Sequence, residues 1–161
     1  MIIFKQFIIY SMIINRRAKY DYEIIETYEG GLILKGHEVK SIRSGKMSLA
    51  GSYIVLRDKG KSKLSEVYLI NALISPYQAA NTPKDYNEKR SRKILLHKEE
   101  IAALIGKIKQ KSLTLIPICV YNKRNKIKIE FALAKGKKNI DKREVIKKRD
   151  VERDIRREIK N

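Results

Sequence analysis

Apolar and polar residues alternate over several short runs of this chain, and such a pattern is typical of half-buried β-strands. Strands are predicted at residues 22–28, 52–56, 67–73, 113–121 and 126–133. In the last run, apolar residues at 127, 129 and 131 alternate with charged residues at 126, 128 and 130. One face of this strand is therefore expected to pack inward, while the other is wet and largely basic.

Two segments have the apolar spacing of helices. Residues 99–111 place Ile101, Leu104, Ile105 and Ile108 on one stripe, with glutamates at the start and lysines at the end. Residues 38–44 predict a shorter helix that Gly45 ends.

Glycine and proline mark the expected breaks. The pair Gly30–Gly31 predicts a tight hairpin turn after the first strand, with a return strand at 32–34. Pro117 predicts an edge or a bulge within its strand. Loops are expected at 58–63 and 75–91, a short apolar run at 93–96, and a polar turn at 122–125.

Many short antiparallel strands with few helices predict a mainly β, α+β fold. The expected architecture is a small OB-like antiparallel β-barrel over residues 15–134, with short flanking helices. Such a barrel is a common platform for RNA, although a fold alone does not fix a function.

The charge of the chain narrows the class of partner. Its 161 residues carry 37 lysines and arginines against 18 acidic residues, a net charge of +19. An excess of this size favours a polyanionic partner, first nucleic acid and second an anionic membrane surface. A lysine-rich protein that is merely soluble is the remaining alternative.

Both ends differ in composition from the middle. Residues 1–14 are strongly apolar but too short to span a bilayer. They are either a stretch before the true start at Met12, which we favour, or a short extra strand or helix. Residues 135–161 hold twelve basic and six acidic residues with few apolar anchors. This tail is expected to be disordered when free and helical on a partner, or else a charged helix docked on the body.

The sequence contains no motif that would support catalysis or metal binding. No nucleophile–base pair, phosphate loop or metal-ligand spacing is present, and His37 and His97 lie far apart. Cys119 has no second cysteine to pair with and is expected in the core. A non-enzymatic protein without a cofactor is therefore expected.

Five motifs follow one another along the chain: Asn-Arg-Arg-Ala-Lys-Tyr-Asp-Tyr at 15–22, Tyr-Glu-Gly-Gly at 28–31, and longer blocks at 36–46, 90–97 and 134–143. This series of motifs resembles that of the SmpB family. The resemblance extends from residue 15 to residue 161. It departs from the family at Gly30, where alanine is usual, and at Ile140, where many relatives carry a histidine or an aromatic residue; Ile140 can give apolar contact only.

The resemblance implies a specific function and set of partners. The chain would bind the tRNA-like domain of transfer-messenger RNA, fill the place of the missing anticodon arm and stabilise that RNA on stalled ribosomes during trans-translation. Its tail would enter the decoding site, formed by 16S ribosomal RNA, and the vacant mRNA channel. Elongation factor Tu and alanyl-tRNA synthetase would be reached indirectly through the RNA. The protein would be a cytoplasmic monomer without membrane contact.

The resemblance also assigns residues. Asn15, Glu29, Leu95 and Lys128 match positions implicated in binding transfer-messenger RNA. Without it, Asn15 is a loop or cap residue, Lys128 an ordinary exposed lysine, Glu29 a turn contact or a residue that orients a basic side chain, and Leu95 part of the core.

Two larger sets of residues complete the candidate interface. Further RNA contacts are expected from Arg16, Arg17, Lys19, Tyr22, Lys40, Arg43, Lys46, Arg90, Arg92 and Lys93. Tyr20, Tyr53 and Tyr77 are further candidates for stacking on bases. Tail contacts at the ribosome are expected from Lys135, Lys137, Lys138, Asp141, Lys142, Arg143, Lys147, Lys148 and Arg149.

Overall fold

The computed structural model describes residues 10–58, 65–108 and 113–137. The strands are β1 (Tyr10–Ile14), β2 (Tyr22–Leu32), β3 (Met47–Ser48), β4 (Tyr53–Arg57), β5 (Glu66–Ile70), β6 (Leu73–Ile74), β7 (Arg92–Leu95), β8 (Leu113–Lys123) and β9 (Lys126–Gly136). The helices are α1 (Ala18–Asp21), α2 (Gly36–Arg43) and α3 (Lys98–Ile108), with one 3-10 turn at Ala79–Asn81.

Six strands form a ring of antiparallel pairs. The order runs β8-β4-β5-β7-β2-β9 and returns to β8, with β1 added outside β8 and a separate pair, β3 with β6. The shortest strand pairing of the ring is between β4 and β8, where Ile54 opposite Leu115 is the single register pair. This arrangement confirms the expected mainly β, OB-like fold.

Three eleven-residue strands, β2, β9 and β8, form the longest continuous ladder of the ring. The register between β8 and β9 shifts between Pro117 and Cys119. Proline has no backbone N–H to give to a ladder, so an irregularity at this point is expected, and the predicted bulge is confirmed.

The core occupies both surfaces of this ladder. Phe131 and Leu133 point into the barrel, where they join the main apolar cluster with Leu104 of α3. Ala132 and Ala134 point outward and form a second cluster with Ala18 of α1. Because alanines are small, α1 can lie close against the outer face, and both faces of this part of β9 are buried.

A buried ionic cluster fixes α2 to the barrel. The Glu38 carboxylate accepts hydrogen bonds from Arg92 Nε at 2.9 Å and from Arg90 Nε at 2.8 Å. Arg92 also donates to the backbone carbonyls of Ala72 and Glu88. Burial acts to raise the pKa of Glu38, but the bonds from Arg90 and the Lys35 backbone, with the charge of Arg92, hold that pKa below its ordinary value.

Arg92 was predicted as a phosphate contact, and its position contradicts this. The side chain is completely buried and its guanidinium is used by Glu38 and two carbonyls. Arg92 is a structural residue that links β7 to α2 through Glu38 and to the preceding segments through the carbonyls of Ala72 and Glu88.

The predicted hairpin at Gly30–Gly31 is wrong. Strand β2 continues through both glycines to Leu32, so no return strand begins there. A Cβ atom at Gly30 would lie 2.5 Å from Cγ2 of Ile94 and 3.0 Å from the Leu95 carbonyl oxygen. Glycine is therefore required by the close approach of β7 rather than by a turn.

Other element boundaries differ by a few residues. The predicted polar turn at 122–125 is only the pair Arg124 and Asn125, both with positive φ, as a two-residue hairpin requires. The strand predicted at 67–73 ends at Ile70, and Asn71 with φ +57° separates it from β6. The strands predicted at 22–28 and 52–56 and the helix ended by Gly45, at φ +74°, are confirmed.

Several predictions concern segments that lie at or beyond the ends of the described ranges. Residues 10–14 of the apolar N-terminal segment form β1, which pairs with β8. Lys135 and Gly136, predicted as the start of the tail, are the last residues of β9. The loop residues 59–63, the helix end at 109–111 and the tail from Lys138 onward lie outside the described residues.

Substituting Gly30→Ala tests the close approach of β2 and β7. We expect the free energy of unfolding to fall by about 1–3 kcal/mol, because the added methyl group overpacks Ile94. Gly31→Ala is the matched control, since its Cβ would meet Leu95 at an ordinary 3.7 Å. Urea denaturation of both variants measures the difference; equal stabilities would contradict the packing argument.

Candidate nucleic-acid interface

The outer face of the β2–β9–β8 ladder carries a compact group of charged side chains. Glu29 lies on β2, Lys128 on β9, and Tyr121 and Lys123 on β8. Lys128 is paired with both Gly31 and Tyr121. Alternate residues of a strand share one face, so the registers bring these four side chains together. We call them the Glu29 cluster.

The carboxylate of Glu29 is the centre of this cluster. Lys128 Nζ lies 2.6 Å from Oε1, and Lys123 Nζ lies 3.1 Å from Oε2. The Tyr121 hydroxyl also donates to Oε2. Three donors from two neighbouring strands thus converge on one carboxylate.

The acidity of Glu29 follows from these bonds. Partial burial acts to raise the pKa of the carboxyl, but the hydrogen bonds from Lys128, Tyr121 and Lys123 outweigh it and lower the pKa to about 2. Burial and the adjacent carboxylate raise the pKa of the Tyr121 phenol, which keeps its proton for donation. Glu29 therefore remains charged, and the cluster as a whole is cationic.

The Glu29 carboxylate orients the lysines that are bound to it. A free lysine ammonium samples many positions, whereas the bond to Glu29 restricts Lys128, whose side chain is 31% exposed. An ammonium group has three donors, and the bond to Glu29 uses one of them. The remaining donors of Lys128 are available for a phosphate oxygen.

A cavity of about 260 Å³ adjoins the cluster. Glu29 and Lys128 line one part of it, and Leu95, His97 and Glu100 line another. Leu95 is 53% exposed, so it is not part of the core. Its apolar side chain lies beside Gly31, where the absence of a Cβ leaves the strand surface open. The structure thus brings Glu29, Leu95 and Lys128 together in one concave site.

Asn15 lies elsewhere and has a structural contact. Its Nδ2 donates to the Pro117 carbonyl at 2.9 Å, and its backbone N–H donates to the Ile118 carbonyl. It lines a different cavity, with Arg16 and Arg17. Asn15 therefore anchors the chain between β1 and α1 to the bulge of β8.

The other residues of the N-terminal motif surround α1. Arg16, Arg17 and Lys19 are exposed, and Arg17 Nε lies 3.3 Å from the Asp21 carboxylate. Tyr22 is partly buried against the second apolar cluster. The Lys137 ammonium donates to the Lys19 carbonyl, and Lys135 is exposed nearby on β9. The start of the tail therefore lies beside α1.

The remaining predicted contacts are divided between surface and ionic pairs. Lys40, Arg43 and Lys46 are exposed at α2 and just after it. Arg43 donates to the Asn125 carbonyl, and Lys46 donates to the Tyr77 carbonyl. Arg90 is bound to Glu38, and Lys93 is paired with Glu66, so both have acidic partners.

Sequence reasoning missed Tyr121 and Lys123. The predicted strand stopped at Tyr121 and a turn was expected from Asn122, so the outward face of β8 was not followed to its end. The strand continues to Lys123, and residues two apart on a strand share a face, which places Tyr121 and Lys123 together. The tail residues Lys138, Asp141, Lys142, Arg143, Lys147, Lys148 and Arg149 lie outside the described residues.

Residues 10–58, 65–108 and 113–137 contain neither a cluster of metal ligands nor a membrane-spanning helix. No group of three or more histidine, cysteine or acidic side chains in these ranges could hold a metal ion. No helix in them is both long and apolar enough to cross a membrane. Cys119 is buried, and burial raises the pKa of its thiol to about 12, which makes it a poor nucleophile.

Comparisons of this chain with family models and with curated proteins point to one family. The family model described as "SmpB protein" matches residues 12–161. An SsrA-binding protein of Trichormus variabilis is 51% identical over 147 residues, which cover 91% of each chain. One of Mycoplasma mycoides is 47% identical and covers 91% of this chain and 93% of its own.

A solved structure supports the same grouping. It is described as "tmRNA-SmpB: a journey to the center of the bacterial ribosome". One of its chains is similar to this one with a TM-score of 0.63 and 45% identity. The likeness covers 80% of this chain and 86% of that one.

Proposed function

Because this chain belongs to the SmpB family, we propose that it binds transfer-messenger RNA, the SsrA RNA, and acts with that RNA in trans-translation on stalled ribosomes. The observation that carries this proposal is the Glu29 cluster, in which a carboxylate holds Lys128 and Lys123 on an open face of the barrel. The net charge of +19 supplies the long-range attraction for RNA.

The RNA surface extends from this cluster over the adjoining cavity. Lys128 contacts phosphate, Glu29 orients it, and Leu95 packs against a ribose or a base. The exposed cations on the rest of the surface add to the positive charge that attracts RNA; they are Arg16, Arg17, Lys19, Lys40, Arg43 and Lys46. Asn15 and Tyr22 support the fold of the N-terminal motif and add further contacts to the RNA.

The target within the RNA is its tRNA-like domain. A barrel of this size covers one arm of a tRNA-shaped ligand, and the chain takes the place of the absent anticodon arm. The RNA is then the link to elongation factor Tu and alanyl-tRNA synthetase, and one copy of the chain is sufficient.

The tail is the part of the chain that contacts the ribosome. The segment that follows β9 is rich in cations and poor in apolar anchors, so it orders on a partner surface. That surface is the empty decoding site and vacant mRNA channel, where Lys142, Arg143, Lys147, Lys148 and Arg149 meet ribosomal RNA phosphates. The protein acts in the cytoplasm as an adaptor without a catalytic step of its own.

Substituting Lys128→Ala tests the phosphate contact. We expect weaker binding to the tRNA-like domain and a salt dependence whose log–log slope is flatter by about one unit, since one phosphate contact is lost. Lys107→Ala is the matched control, because Lys107 is likewise paired with a glutamate, Glu26, on a different surface. Fluorescence anisotropy at several salt concentrations measures both slopes. An unchanged slope for Lys128→Ala would show that this lysine touches no phosphate.

Truncation after Lys138 tests the separation of the two activities. Because β9 and the Glu29 cluster are retained, binding to isolated transfer-messenger RNA should stay within about twofold of the full chain. Rescue of stalled ribosomes, measured as tagging of the nascent peptide in a reconstituted system, should be lost. A large loss of RNA affinity would refute the assignment of RNA binding to the barrel.

A further inference from the structure

A second concave site lies between the start of α2 and the segment at 76–86. Its volume is about 380 Å³, larger than the cavity beside Glu29, and the two share no lining residue. This size falls within the range of about 300–1,000 Å³ that is usual for small-molecule sites. We call it the α2 cavity.

Its lining offers an aromatic surface that is held in place. Tyr77 lines the cavity and is 39% exposed. Lys46 Nζ donates to the Tyr77 carbonyl at 3.0 Å and lies 5.9 Å from the centre of its ring. Tyr86 closes another side, and its hydroxyl donates to the Ile74 carbonyl. Two tyrosine rings thus lie in one recess, and Lys46 holds one of them from outside the lining.

The polar groups of the α2 cavity are suited to a hydrogen-bonding ligand. His37 lines it with its ring edge-on to Tyr86, and its buried Nε2 atom has no hydrogen-bond partner among the described residues. Buried polar atoms are nearly always paired, so this unpaired nitrogen leaves His37 with an unsatisfied hydrogen-bonding group beside the cavity. Lys40 and Asn81 add a cation and an amide, and the lining contains no carboxylate.

We propose that the α2 cavity captures one unstacked nucleobase of an RNA strand, with the ring of Tyr77 as the stacking surface and Lys40 and Lys46 at the flanking phosphates. A base has a flat π-face for Tyr77 and edge groups for His37 and Asn81. An acidic ligand is favoured by the absence of carboxylates and the charge of +19. The strand belongs to transfer-messenger RNA or to ribosomal RNA, which offer the same chemistry.

The first test uses a fluorescein-labelled single-stranded oligoadenylate of seven nucleotides. Tyr77→Ala should weaken its binding about fivefold or more at physiological salt, whereas Tyr77→Phe should retain it, because stacking needs the ring and not the hydroxyl. Ile25→Ala is the control, since Ile25 is an exposed apolar residue, at 54%, on β2, outside the cavity and outside every candidate contact set. Thermal melting of each variant confirms that it is folded.

The second test repeats the comparison with the isolated tRNA-like domain and with vacant ribosomes. A loss confined to either partner, together with the loss on oligoadenylate, supports the proposal and identifies which RNA supplies the base. Equal effects of Tyr77→Ala and Ile25→Ala, or no effect of Tyr77→Ala on oligoadenylate, would overturn it. A loss on ribosomes alone would indicate a ribosomal protein as the contact and would also overturn it. None of these outcomes depends on Lys128, so failure here leaves the proposed function intact.

Discussion

The registers of β2, β9 and β8 set one carboxylate between two ammonium groups and a phenol on the outside of the barrel. In water such surface pairs contribute little to stability. Their value here is geometric, because Glu29 restricts long side chains that would otherwise sample many positions. A slip of one residue between β2 and β9 would turn Glu29 inward and separate it from Lys128. The ladder that forms the barrel therefore also forms the site.

Glu29 and Glu38 each have several basic partners, but the two residues have different roles. Glu38 is completely buried, and its bonds to Arg90 and Arg92 join α2 to β7. Glu29 is partly exposed, and its bonds to Lys123 and Lys128 leave the lysines facing solvent. Burial thus separates a structural cluster from a binding one, and the amino acids alone do not show which is which.

The strands and the fold class could be predicted from the sequence because alternation along a strand is a local property. The continuation of β2 through Gly30 could not, since it depends on the approach of Ile94 from a distant part of the chain. The burial of Arg92 was missed for the same reason: its partners lie on α2 and in the segment before β7. Glu29 and Lys128 were identified only through the resemblance of their motifs. Lys123 was not identified because the predicted strand ended at Tyr121, two residues too early.

A double-mutant cycle with Glu29→Gln and Lys128→Ala tests the central claim most directly. Affinity for the tRNA-like domain of transfer-messenger RNA is measured for the parent, both single variants and the double variant. If the carboxylate orients Lys128, Glu29→Gln weakens binding in the parent and has a much smaller effect once Lys128 is absent. If Glu29 acts only as a negative charge, its removal strengthens binding in both backgrounds. That result, or strictly additive losses, would contradict the account.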